Sequence, residues 1–413
     1  MSRIRTAAVL LAAATLTATG VLVAGPLTPP GGPVASSYKT LTEVEPRIAI
    51  NATNTPGDAS SVYRISQPGS YYLTGNLTGV SGKVGILVLA NNVTIDLNGF
   101  TLQGVSGADD AIGVAFNIPS WINFKVMNGT IRGWTKEGID GFYANNCIID
   151  RVHVDGSSNG YGIITGVGST IRECVVSNSG AGIVTPQGCT VTNCSAYRNI
   201  GPNFALGPGN TVTGCTAREA TAAGSPGFDV ADGSTIANCS STNNNGIGFT
   251  LGNNCTITGS TALGNTSSGF RMNSGGLIQA CTAASNGAYG IQAVGSATSI
   301  IGCSANANTI DGIRVASNCL VVNNTCNANG PSAVIGGAGI YTTGTGNRLD
   351  SNTTTGNWWG IALNGSNNFM VRNISTANLG GPNQLIAGNR QAQVIANPPA
   401  NFVSTDPWAN FQF

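Results

Sequence analysis

One phrase recurs down this chain at a nearly fixed interval, and that interval limits the available folds more than any other feature. It reads TIRECVV, TVTNCSA, TVTGCTA, TIANCSS, LIQACTA and SIIGCSA, placing Cys174, Cys194, Cys215, Cys239, Cys281 and Cys303 in one register. The steps are 20, 21, 24, 42 and 22 residues, and the 42 is two steps of 21 through Ser260. Three residues before each Cys stands Ile or Val (Ile171, Val191, Val212, Ile236, Ile278, Ile300). A second register holds Asn244, Asn265, Asn286, Asn308, Asn329, Asn357 and Asn378. A third holds Gly before a large apolar residue, at Gly138-Ile139, Gly162-Ile163, Gly182-Ile183, Gly227-Phe228, Gly248-Phe249, Gly269-Phe270, Gly290-Ile291, Gly312-Ile313, Gly339-Ile340 and Gly360-Ile361, with Asn203-Phe204 filling the missing step.

In most repeats Asn precedes Gly by four residues. Asn and Gly tolerate left-handed backbone at a bend, and stacked Asn side chains can bond amide to amide. A period of about 21–28 residues with β-branched strands and no helical pattern indicates a strand solenoid. A leucine-rich repeat requires Leu at fixed offsets, and a hexapeptide β-helix requires about 18 residues per turn; neither fits. The expected fold is all-β, a right-handed parallel β-helix of about thirteen coils of 20–28 residues, roughly 60 Å long at about 4.8 Å per coil. Over residues 61–378 the chain resembles the pectate-lyase-like β-helix proteins, especially secreted bacterial members whose coils carry the Asn-x-x-x-Gly-Ile phrase. That resemblance implies the fold and leaves function open, because such folds host lyases, hydrolases, epimerases and adhesins.

The ends differ from the repeats. Arg3 and Arg5 precede an uncharged run from Ala7 to Ala24, the form of a secretory signal, assigned to residues 1–25. A retained anchor is the alternative, since 18 apolar residues lie at the lower edge of a membrane span. Residues 26–60 are expected to form a linker and amino-terminal cap, with Arg64 to Leu77 supplying the first strands. Residues 379–413 break the period and end PWANFQF, so they are assigned as a carboxy-terminal cap with Trp408, Phe411 and Phe413 over the last coil. The expected mature protein is secreted, monomeric and not inserted in a membrane.

The chain has eleven Cys and one His, with no CxxC pair. An odd count in one repeating register favours a column of buried, reduced thiols over disulfides, and no metal site or cofactor is expected. Cys147, Cys189, Cys255 and Cys319 form a second set just ahead of the first. The sequons at Asn92, Asn128, Asn265, Asn364 and Asn373 fall mostly on ladder or turn positions, where Asn is needed for shape.

Chemistry is expected on outward positions. The residue after each Gly-Ile or Gly-Phe pair points out, giving the column Asp140, Ile164, Val184, Ala205, Asp229, Thr250, Arg271, Gln292, Arg314, Tyr341, Ala362. Six consecutive polar members, Asp229, Thr250, Arg271, Gln292, Arg314 and Tyr341, suit a linear sugar chain, with Arg271 and Arg314 placed for carboxylates. If Ala111-Ile112 aligns with Gly138-Ile139, Asp110 and Glu137 become neighbours, with Asp109 and Lys136 beside them. The Gly-Ala-Asp-Asp phrase resembles the paired aspartates of polygalacturonase-type hydrolases, although their following histidine and Arg-Ile-Lys phrases are absent. The densest charge runs through Arg132, Lys136, Glu137, Asp140, Asp150, Arg151, His153 and Asp155, making Asp110, Glu137, Asp140 and His153 the catalytic candidates.

A net charge of +1 with only 8% charged residues offers no basic surplus for nucleic acid. The expected role is non-catalytic, in polysaccharide binding or structure at the cell exterior. A carbohydrate-active enzyme, either a polysaccharide lyase or a glycoside hydrolase, is the competing class.

Overall fold

A computed structural model describes residues 45–115, 121–330, 332, 337–398 and 404–412. The segment assigned as an export signal and most of the linker lie outside these residues. Arg47–Phe413 forms one compact unit.

A single turn shows how the sequence builds the coil. Phe249–Leu251 is a strand of the first face, Thr256–Thr258 of the second and Thr261–Leu263 of the third. Left-handed residues separate them: Asn254 (φ 56), Gly259 (φ 57) and Gly264 (φ 65). Each left-handed residue turns the chain and points its successor inward, so Cys255, Ser260 and Asn265 are all buried. The repeated left-handed residue followed by Cys, Ser or Asn is therefore the corner of the coil. It recurs at Glu173-Cys174, Asn193-Cys194, Asn238-Cys239 and Asn323-Asn324.

Successive turns pair in parallel on every face, for example Phe228↔Phe249↔Phe270 on the first and Ile236↔Ile257↔Ile278 on the second. The first face is a sheet of fifteen strands from Ser61–Ile65 to Gly381–Leu385. The expected thirteen coils are thus fifteen. The two added turns sit at the ends, where the Gly-Ile phrase is lost but backbone pairing is kept. Among the described residues no helix is long and apolar enough to cross a membrane.

Inside, like stacks on like. Phe204, Phe228, Phe249 and Phe270 lie face to face with centroids 4.6, 4.7 and 4.9 Å apart. All eleven thiols are free and buried. The first column runs Cys174, Cys194, Cys215, Cys239, Ser260, Cys281 and Cys303, and its sulfurs donate to nearby carbonyls, as Cys281 Sγ does to Gln279 O at 3.2 Å. Burial pushes the Cys147 thiol up to about 11 and raises Cys255 as well, which keeps both protonated.

The Asn ladder forms as expected. Amide Nδ2 donates to the Oδ1 of the next turn from Asn244 to Asn265 (2.9 Å), then to Asn286 (3.0 Å), Asn308 (2.9 Å), Asn329 (2.9 Å), Asn357 (2.9 Å) and Asn378 (3.0 Å). Two further ladders appear late in the chain, Asn324-Asn352-Asn373-Asn410 and Asn347-Asn368-Asn389. The first of these continues the cysteine column, because Cys303 N–H donates to Asn324 Oδ1. The sequon residues Asn265 and Asn373 are buried ladder members.

Past Asn378, where the cap was expected to begin, parallel pairing continues through Gly381–Leu385 and Arg390–Gln391. The last strand, Asn410–Gln412, then enters between Ile374–Thr376 and Val394–Ala396 and pairs with both. Trp408 lies half-exposed against the Arg372 guanidinium, 5.0 Å from the ring centroid. Phe413 lies outside the described residues.

Two outcomes follow from this interior. A thiol reagent should leave the native protein nearly unlabelled and modify up to eleven cysteines after unfolding, because every thiol is buried; rapid native labelling of Cys215, Cys239 or Cys281, read by mass spectrometry, would contradict the column. Asn286→Ala should cost about 2–3 kcal/mol, since it removes the Oδ1 that accepts both the Asn265 backbone N–H and one Asn265 Nδ2 proton in the buried interior. Asn364→Ala, at an exposed position, should stay within about 0.5 kcal/mol in the same thermal or urea melt.

Candidate functional site

The parallel register extends the outward column of the first face beyond the sequence expectation. Arg64, Leu87, Gly113 and Asp140 follow one another across the first four strands, and Ile164, Val184, Ala205 and Asp229 come next. Thr250, Arg271, Gln292, Arg314, Tyr341 and Ala362 complete it in order. Ile112 pairs with Ile139, which aligns Ala111-Ile112 with Gly138-Ile139.

That alignment brings the carboxyl groups together. Asp110 and Glu137 stand one residue before the aligned pairs, and the Glu137 N–H donates to Asp110 Oδ1 at 3.1 Å. Their carboxyl groups also bond to each other. Burial, the bond to Glu137, and the charges of Glu137 and Asp140 together push Asp110 up to about 8. Asp140 is raised as well, by burial and then by Glu137, against the pull of the Phe142 N–H that donates to its Oδ1 at 3.0 Å. At about 8 the Asp110 carboxyl keeps its proton at neutral pH.

The space beside them comes from a glycine. Gly113 occupies the column position between Leu87 and Asp140, and a Cβ there would sit 3.2 Å from Asp110 Oδ2 and 3.5 Å from Val84 Cγ1. Its absence helps open a cleft of about 640 Å³ lined by Asp58, Arg64, Leu87, Asp109, Asp110, Gly113, Lys136, Glu137 and Asp140, among others. Arg64 Nη1 pairs with Asp58 Oδ2 at 3.1 Å, and Lys136 Nζ with Asp109 Oδ1 at 2.5 Å. Hydrogen bonding to Asp109 holds Lys136 in its charged form.

Glu137 and Asp140 also border a second hollow of about 340 Å³ with Phe142, Tyr143, Tyr161 and Ile164. The three rings are 50%, 44% and 40% exposed, and Phe142 meets Tyr143 edge to face at 5.0 Å. An aromatic shelf therefore adjoins the acid cluster.

His153 is not part of this site. It is exposed on the strand Ile148–Asp155 of the other sheet, beside Thr130 and Val175. The run of charge in the sequence splits in two, with Lys136, Glu137 and Asp140 on the cleft and Asp150, Arg151 and Asp155 on the other sheet. There Arg151 and Arg172 pair with buried Asp150, and Arg172 holds its carboxyl below the usual range.

The polar stripe is less available than expected. Arg314 lies between the rings of Tyr289 (4.9 Å) and Tyr341 (4.8 Å) and pairs with buried Asp311 at 3.3 Å. Asp229 and Arg271 are exposed, and Thr250 and Gln292 half-buried. Arg271 has no ion-pair partner among the described residues. Arg64, Asp58, Gly113 and Tyr161 went unrecognised as site residues. Extending the column three turns toward the amino terminus would have found Gly113 and then Arg64. Among the described residues no group of three or more His, Cys, Asp or Glu is placed to hold a metal ion.

No curated protein matches this chain. Among solved structures, the A-module of mannuronan C-5 epimerase AlgE4 from Azotobacter vinelandii is 16% identical, with 79% of this chain and 91% of that chain covered and a TM-score of 0.49. Tailspike protein 3 of bacteriophage CBA120 is 12% identical, over 96% and 71% of the two chains, with a TM-score of 0.46. Pectate lyase Pel9A is 20% identical, over 65% and 73%, with a TM-score of 0.30. The model of the right handed beta helix region matches residues 113–276 and 230–376, most of the solenoid. The chain belongs to the right-handed β-helix family.

Proposed function

We propose that this chain is an exported carbohydrate-active enzyme that hydrolyses glycosidic bonds at the Asp110–Glu137–Asp140 cleft. The observation that carries this is a carboxyl group raised to about 8 against a second carboxyl, on the wall of a cleft that adjoins exposed aromatic rings. Glycosidic cleavage needs one carboxylic acid to protonate the leaving oxygen and one carboxylate to act on the opposite side. Asp110 supplies the proton as the bond between the anomeric carbon and the leaving oxygen breaks. Water attacks that carbon, and its proton passes to the Asp140 carboxylate across the space left by Gly113. Glu137 bonds Asp110 and keeps its proton in place.

We favour this reading over the non-catalytic one, because the stripe meant to bind a sugar chain is partly self-paired at Arg314. Asp229, Thr250, Arg271 and Gln292 remain as outer contacts along the same face. The wild-type fold of the stripe separates two roles: Arg271→Ala should change stability by less than about 0.5 kcal/mol. Arg314→Ala should cost more, because it leaves buried Asp311 without its cation. Equal melting of the two variants would contradict that pairing.

Asp110→Asn should lower kcat by about 10²–10⁴-fold, measured by release of reducing ends, while retention on the same polysaccharide is kept. Unchanged turnover would overturn the assignment. Because the acid must be protonated, activity should fall as pH rises through about 8. Stability has its own signature. The folded state holds a proton that the unfolded chain releases at its ordinary 3.8, so Asp110 makes stability decline as pH rises from 3.8 to about 8. Melting of Asp110→Asn across that window should decline less than the parent's.

A further inference from the structure

Five carboxyl side chains line the main cleft, Asp58, Asp109, Asp110, Glu137 and Asp140, against two cations, Arg64 and Lys136. Neither cation is spare. Arg64 is paired with Asp58 and Lys136 with Asp109, and the nearby Lys83 Nζ donates to the Asp58 carbonyl at 2.6 Å. Lys136 is the cation of the lining whose charge reaches Asp110, Glu137 and Asp140, and its ammonium is already bonded to Asp109. The unpaired cation of the column, Arg271, lies six strands beyond Asp140, roughly 29 Å at about 4.8 Å per strand. That is several screening lengths away at physiological salt, where the Debye length is about 8 Å.

A second observation is independent of charge. The hollow next to the carboxyls presents Phe142, Tyr143 and Tyr161 with Ile164, and the lining of the main cleft includes Leu87 and Leu89. Aromatic and aliphatic faces of this kind pack against the C–H faces of pyranose rings and gain nothing from a carboxylate.

We propose, resting on the hydrolase reading above, that the cleft takes an uncharged polysaccharide and discriminates against uronate-containing chains. A uronate carboxylate bound over Asp140 would meet like charge with no cation to pair with. A neutral hexose at the same place would offer hydroxyls, which can donate to the same carboxyl oxygens. Selectivity then comes from repulsion of the wrong chain as well as from contact with the right one.

The test uses matched polymers. A uronate polysaccharide and the same polymer with its carboxyls reduced to primary alcohols keep the same linkages and differ only in charge. Neutral glucans, mannans, galactans and rhamnose-containing polymers complete the panel. For a linkage that the enzyme cleaves, kcat/KM for the reduced polymer should exceed that for the parent uronate at least tenfold in low salt. The gap should narrow in about 0.5 M salt, where screening is short-ranged. Tyr161→Ala should raise KM for the neutral chain while leaving the alkaline limb of the pH profile in place. Equal or better cleavage of the uronate polymer would overturn this inference and leave the hydrolase standing. Retention of neutral chains without cleavage would keep the charge selectivity and remove the hydrolase. Failure both to retain and to cleave any neutral member would remove both.

Discussion

The buried polar residue at each corner is the interaction on which this solenoid depends. A side-chain amide closed off from water costs about 1–3 kcal/mol if it lacks partners. In the Asn ladder each amide is satisfied by the amide one turn further on and by a carbonyl of an earlier turn, as when Asn308 Nδ2 donates to both Asn329 Oδ1 and Ala283 O. A slip of one residue between neighbouring turns would break every such bond at once and turn the inward strand residues outward. Where Cys or Ser takes the corner, the hydroxyl or thiol bonds to a local carbonyl, as Ser260 Oγ does to Thr258 O at 3.0 Å. Register is still kept there, by the backbone ladder and by stacked Ile, Val and Phe.

That register is what makes a site possible on so repetitive a surface. The first-face strands hold their outward residues in a fixed line, so chemistry depends on what interrupts the line. Two interruptions coincide near the amino-terminal end. Gly113 removes a side chain from the column, and the early turns are longer, with 27 residues from Ile112 to Ile139 against 21 from Phe249 to Phe270. That turn carries Lys136 and Glu137 just before the strand Ile139–Gly141, and the turn before it carries Asp109 and Asp110 just before Ile112–Val114.

Carboxylates elsewhere in the molecule show what sets the cleft apart. Asp350 accepts from Arg348 and Arg372, and the bond to Arg372 above all brings its carboxyl down to about 2. Asp150 is held low in the same way by Arg172. Such groups are charged supports for the strand ends. Asp110 has a second carboxyl where those have a guanidinium, so its proton stays. One residue type thus serves opposite purposes, according to the partner on the adjacent turn.

The sequence by itself determined the fold, the corners and the columns. Their signal is a repeated spacing, and in a parallel stack equal spacing means direct contact, so Cys174 and Cys194 or Asn265 and Asn286 could be paired from their numbers alone. The same logic puts Asp110 beside Glu137 if Ala111-Ile112 is aligned with Gly138-Ile139, an alignment that the strand pairing supplies. It could not exclude His153 or split the charged run from Arg132 to Asp155, because the residues of that run alternate between two sheets within about one turn. It also left Arg314 free, since Asp311 and the rings of Tyr289 and Tyr341 meet its guanidinium from off its own strand. The two end turns and the inserted strand Asn410–Gln412 were decided by backbone pairing, which needs no side-chain phrase to announce it. Only the tertiary structure decided that the carboxyl cluster opens into a cleft with an aromatic shelf, because that depends on a missing side chain at Gly113 and on which neighbours remove the water.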